Sequence, residues 1–185
     1  MTTIKLIGGV CAFFVTFIIS KNYGAEILGE YGFTLSVISI VAMVARYGTD
    51  KNIVKQSSLF KHTHSGSHLS SFVMSYLVVL FFISLFFALM VIIFGDLAIN
   101  YIRGLEPQSL FYVAGLGVIS LNLLAGCTGI LQADMRYLLS LLFQTTLHPL
   151  SILFLLFVFH TQLTETQDLL ILYVASSCLC ALVSL

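Results

Sequence analysis

Six apolar runs of bilayer-crossing length constrain this chain more than any other feature. They lie at about residues 4–20, 31–47, 69–94, 110–131, 138–159 and 169–185. A helix needs ~20 residues to cross a hydrocarbon core ~30 Å thick, and each run is close to that length. The chain is 59% hydrophobic and 9% charged, far from the balance of a water-soluble domain. Period-2 alternation is absent and the runs are roughly twice the length of barrel strands, which excludes a transmembrane β-barrel. The expected fold is all-α: a polytopic membrane protein with one bundle of about six transmembrane helices over residues 1–185.

Residues that stop helices or suit water divide the runs. Lys21 to Glu30 reads as a polar, Gly-rich turn, and a Ser/His/Gly loop surrounds His64 to His68. Gly95-Asp96 and Gly104-Leu105-Glu106-Pro107 mark further helix ends. With the N-terminus inside, Lys5, Arg46, Lys51, Lys55, Lys61 and Arg136 fall on the cytoplasmic side, and only Lys21 and Arg103 fall outside. The positive-inside rule favours that orientation, so a multi-pass inner-membrane protein with a cytoplasmic N-terminus is expected. Lys5 before an apolar stretch resembles a secretory signal, but no small-x-small cleavage site precedes Lys21, so the first run reads as an uncleaved span. The last run is still apolar at Leu185, and the sequence reads as cut short.

Several functional classes drop out on composition. The net charge is zero and no Lys/Arg block is dense enough to track a phosphate backbone, so nucleic acid is not an expected partner. Cys11, Cys127, Cys178 and Cys180 sit inside apolar runs without C-x-x-C spacing and read as small apolar side chains. His62, His64 and His68 have no cysteine or carboxylate near them, so neither a metal nor a cofactor is expected.

Polar faces of spanning helices carry the functional information, because helices in lipid pack through small residues while polar groups turn to protein or a hydrated cavity. In the first run Gly8, Ala12, Thr16 and Ser20 recur every four residues and predict a helix-packing seam or a cavity-lining face. In the second, Ser36, Ser39, Met43, Arg46 and Asp50 share an arc of about 80° at ~100° per residue. Arg46 reads either as a snorkelling topology residue or as a cavity-lining cation, with Asp50 one turn on as a pairing acid. In the fifth, Arg136, Ser140, Gln144, His148 and Ser151 step along one face, which reads as a wet lumen or as hydrogen bonds to neighbouring helices. Pro149 frees a backbone carbonyl near residue 145 and predicts a bend there. His148 has no acidic neighbour in its span and reads as a buried neutral imidazole or as a proton relay; no catalytic constellation is present, and the chain is not expected to be an enzyme. Asn122 lies mid-depth in the fourth run, for packing or for substrate contact. Arg46, Asn122, Arg136, Ser140, Gln144 and His148 are therefore the candidates to line a substrate path.

Two stretches carry a family resemblance. Gly24-Ala25-Glu26-Ile27-Leu28-Gly29-Glu30-Tyr31-Gly32 is similar to a Gly-acid-x-x-Gly-x-Tyr turn, and Arg46-Tyr47-Gly48-Thr49-Asp50-Lys51-Asn52-Ile53-Val54-Lys55 resembles a Gly-x-Asp pattern followed by basic residues. Arg136-Tyr137-Leu138-Leu139-Ser140, with Pro149 thirteen residues after Arg136, is a further match. In this order they resemble the polysaccharide and O-antigen (Wzx-like) flippases of the multidrug/oligosaccharidyl-lipid/polysaccharide exporter superfamily. The resemblance implies two six-helix bundles around a central cavity, of which this chain supplies the N-terminal one. It implies a lipid-linked oligosaccharide substrate on undecaprenyl pyrophosphate, flipped for O-antigen or capsule biosynthesis, with membrane lipids, a polysaccharide polymerase and a chain-length regulator as partners. Two other readings stand beside it: a non-transporting remnant or assembly subunit, and a cation-coupled multidrug exporter, which would favour a carboxylate that the first run lacks.

Overall fold

The computed structural model describes residues 2–47, 52–56, 66–102, 108–134, 136–159 and 166–184, with side chains for all of these except 66–70, 96–102 and 108–109. The elements are α1 (Thr2–Ala45), α2 (52–56), α3 (Gly66–Ile102), α4 (Gln108–Ala133), α5 (Tyr137–Leu141), a π-helical segment (Leu142–Leu147), α6 (His148–Phe159) and α7 (Thr166–Ser184). No strand occurs among the described residues.

Among the described residues, five stretches are long and apolar enough to cross a membrane: Thr2–Ala45, Ser71–Gly95, Leu110–Ala133, Tyr137–Phe159 and Thr166–Ser184. The distribution of side chains fits that solvent. Phe13, Phe82, Phe154 and Phe157 are exposed, the last by 87%. The buried positions include Ser84, Ser120, Asn122, Thr128, Ser140, Ser176 and Ser177. A protein in water would bury the phenylalanines and expose the hydroxyls; here the hydroxyls hydrogen-bond inside, as a hydrocarbon surround demands.

α1 contains both of the first two expected spans. Straight, 44 residues would reach ~66 Å, about twice the hydrocarbon thickness. Gly24 breaks it, with φ 89° and ψ 173°, a backbone region essentially restricted to glycine. The contacts show that the chain reverses there. α4 and α7 run parallel, because Ser120 bonds Ser177 and Cys127 meets Ser184. Gln132 bonds Ser140, so α5 starts at the C-terminal end of α4, and Ile4 and Gly8 lie a little further along, against Thr146 and Thr145. Glu30 instead meets Thr166 at the start of α7. Beyond it Ile38 packs on Gly117 and Ile53 on Gly129, descending beside α4. The first arm of α1 therefore rises along the assembly and the second arm returns.

α3 and α4 form an antiparallel pair in which Leu80 faces Gly126, Ser84 bonds Asn122 and Ile92 faces Gly115. The main core joins Val15 and Ile19 of the first arm, Ile38 and Ala42 of the second, Val118 of α4, Ile152 and Leu156 of α6, and Leu170 and Tyr173 of α7.

Three expectations need correction. Lys21–Glu30 is not a ten-residue turn: it is helical on both sides of Gly24 alone. Gly95-Asp96 does not end its helix, since α3 continues to Ile102; a Cβ at Gly95 would collide with the Phe111 ring, so this glycine serves close packing on α4. Gly8, Ala12, Thr16 and Ser20 form no seam among the described residues, because only Gly8 of the four is buried and the packed line runs through Gly8, Val15 and Ile19. A strict spacing of four drifts by ~40° per step on a helix of 3.6 residues per turn, so Ser20 has rotated about 120° away from Gly8. Asp50, His62, His64 and the Gly104–Pro107 stretch lie outside the described residues, as does the side chain of His68.

Candidate functional site

The polar stripe of the fifth span passes through three surroundings, because its neighbours change along the helix. α5 packs on α4, the π segment on the first arm of α1, and α6 on both α7 and α1. Arg136 precedes α5 and is exposed; its own N–H donates to the Leu131 carbonyl at 3.0 Å. Ser140 is fully buried and accepts from Gln132 Nε2 at 3.0 Å. Gln144, one step further, is exposed. His148 is half-buried with its ring edge-on to Tyr173, centroids 4.9 Å apart, and its Nε2 has no hydrogen-bond partner among the described residues. Ser151 donates to the His148 carbonyl at 2.8 Å and lies 3.8 Å from Cys180 Sγ.

Pro149 explains the local geometry. A proline in a helix lacks the N–H for the preceding turn, and its ring presses on the carbonyl four residues back, here that of Thr145. The turn before it widens to π register, with the His148 N–H reaching the Phe143 carbonyl five residues back. The Thr145 carbonyl points at Gly8 so closely that a Cβ there would collide with it. Thr146 Oγ1 donates across the same junction to the Ile4 carbonyl at 3.2 Å.

The other candidates sit elsewhere. Asn122 is fully buried between α4 and α3, donating from Nδ2 to Ser84 Oγ at 2.9 Å, while its Oδ1 has no hydrogen-bond partner among the described residues. Arg46 is half-buried just past the end of α1; its Nε turns back to the Ala42 carbonyl at 3.2 Å, and its charge acts on Tyr173 in α7. Ser36 and Ser39 are exposed on the second arm, with hydroxyls bonded to the carbonyls of Gly32 and Leu35. Ser140, Asn122 and His148 are thus tied to partners in α4, α3 and α7 rather than to one another. A cavity of about 290 Å³ between α1, α3 and α4 is apolar throughout, bordered by Val37, Val41, Phe87, Phe94 and Phe111, and none of the six candidates lines it.

Sequence reasoning missed the residues that bind these helices together. Tyr173 and Thr166 lie on α7, where Thr166, Tyr173, Ser177 and Ser184 share one helical face within about 40° at ~100° per residue, a signal the sequence did offer; Thr166 donates to Glu30 Oε2 at 2.7 Å, and Glu30 belongs to helix rather than to the expected polar turn. Thr145 and Thr146 fell beside the stripe rather than on it, and the proline four residues after Thr145 was the one available signal. No group of three or more His, Cys, Asp or Glu that could hold a metal occurs among the described residues. Compared with known protein families, curated proteins and solved structures, the chain has no match.

Proposed function

We propose that this chain is the N-terminal bundle of a bacterial inner-membrane flippase that moves an undecaprenyl-pyrophosphate-linked oligosaccharide for O-antigen or capsule synthesis. The observation that carries the reading is the outward placement of polar groups on an otherwise apolar surface. Ser36, Ser39, Arg136 and Gln144 are exposed among residues such as Met43 and Phe154. A pyrophosphate crossing hydrocarbon needs fixed cations and hydroxyl or amide donors along a hydrated route. Arg46 and Arg136 supply the cations, and Gln144 supplies an amide. The order of the short motifs around Gly24–Gly32, Arg46–Lys55 and Arg136–Ser140 supports the same reading. In this topology the N-terminus is cytoplasmic, and a second bundle faces the outward polar surface.

The test is substitution of the two arginines in cells that depend on this protein for surface polysaccharide. Arg46→Ala and Arg136→Ala are each expected to reduce surface polysaccharide at unchanged membrane abundance. Full polysaccharide in both variants would remove these residues from the substrate path.

A further inference from the structure

We propose that Leu142–Leu147 is a register hinge, held in its π form by the first turns of α1 and able to pass to α form. Pro149 is the origin of the hinge. Having no N–H, it cannot pair with the Gln144 carbonyl in π register or with the Thr145 carbonyl in α register, so one hydrogen bond is missing in either state. The usual penalty that disfavours a π turn is thereby reduced. What selects the π register is the junction with α1: the Thr145 carbonyl lodged against Gly8, and the Thr146 hydroxyl on the Ile4 carbonyl. Each flank has its own anchor. Ser140 is bonded to Gln132 on α4, and Ile152 and Leu156 are in the core.

Passing from π to α removes one residue's worth of slack, and the helix beyond turns by about 100° relative to the part before it. That rotation carries His148 off the Tyr173 ring and Ser151 away from Cys180, two of the contacts that join α6 to α7, and turns Ile152 and Leu156 out of the core they share with Leu170 and Tyr173. α4 and α7 are joined separately, through Ser120–Ser177 and Cys127–Ser184, and do not move with it. The first turns of α1 therefore act as a latch on the rotation of α6. The hinge is a property of the helix and does not depend on what the protein transports.

Native Cys180 provides the readout. With Cys11, Cys127 and Cys178 replaced by alanine, Ser151→Cys pairs with Cys180 across a junction where Oγ and Sγ are 3.8 Å apart. Oxidation in native membranes is followed by mass spectrometry of the linked peptides. In a second background, Ser184→Cys with native Cys127 serves as the reference between α4 and α7. Pro149→Ala, Thr146→Val and Gly8→Ala are each expected to lower the 151–180 yield about two- to tenfold, the change that losing one ordinary hydrogen bond makes in a two-state equilibrium. The reference yield should hold, and Thr146→Ser, which keeps the hydroxyl, should preserve the 151–180 yield. Unchanged 151–180 yields in these variants, with the reference pair intact, would overturn the hinge. Should Gly8→Ala or Pro149→Ala lose both pairs, Thr146→Val decides, since it deletes one hydroxyl. Loss of both pairs in Thr146→Val also overturns the proposal, because the contact would then hold the fold rather than a register.

Discussion

At the scale of single residues, small hydroxyls and the Asn122 amide are set among the large apolar side chains of the interior and tie particular helices to one another. Asn122 and Ser84 make the sharpest case, since both are fully buried and share a hydrogen bond of 2.9 Å between α4 and α3. In hydrocarbon neither group has water to fall back on, yet an unfolded chain in the membrane also finds partners, so the net gain stays small. A double-mutant cycle of Asn122→Ala and Ser84→Ala, read by reversible unfolding in micelles, is expected to give a coupling of about 0.6–1.7 kcal/mol. A coupling near zero would place the amide's partner elsewhere. Of this pair the sequence exposed only Asn122, as a polar residue at mid-depth. Ser84 was invisible because a lone serine in an apolar run carries no periodic signal, and its partner lies 38 residues away.

At the scale of elements, glycines and one proline decide how the helices are shaped. Gly24 holds a backbone conformation that a side chain strains, so Gly24→Ala should cost about 1–3 kcal/mol. Gly29 lies in open space within regular helix, and Gly29→Ala should be neutral or stabilising by up to about 1 kcal/mol. Unfolding in micelles compares the two, and equal effects would contradict a turn localised at Gly24. Helix lengths were legible: the runs at 110–131 and 138–159 match α4 and the stretch from Tyr137 to Phe159. Pro149 marked the place where the helix leaves α register, although the sequence predicted a bend there and not the π turn that Leu142–Leu147 forms. The width of the first turn was not legible, because a Gly-rich polar decapeptide resembles a loop whether one residue or ten leave the helix. The environments of Ser140, Gln144 and His148 were not legible either. Periodicity gives the angle of a side chain about its own axis and is silent on which neighbour stands at that angle.

At the scale of the whole molecule, the assembly has two ends that the contacts distinguish. Ile4, Ile53, Gly129, Gln132 and Ser140 gather towards one end, and Glu30 and Thr166 towards the other. Glu26 and Arg136 are both exposed and lie at opposite ends. With native cysteines replaced, Glu26→Cys is expected to react with a membrane-impermeant thiol reagent in intact cells, and Arg136→Cys only after permeabilisation. The reverse pattern would invert the orientation and leave the fold unchanged; reaction of both in intact cells would contradict opposite ends. The inside-out distribution of side chains, with Phe157 exposed and Ser177 buried, was legible only as a total. Composition announced an apolar solvent, while the partners of each hydroxyl emerged from packing.

The reversal at Gly24 also bears on how the protein is made. With a single residue between ascending and returning arms, there is no loop that could wait on the far side while the second arm is synthesised. So short a turn is expected to enter the bilayer as a hairpin, both arms together, with Lys21, Glu26 and Glu30 near its tip. Biogenesis of the remaining helices then begins from a preformed pair, against which the Thr145 carbonyl later finds Gly8.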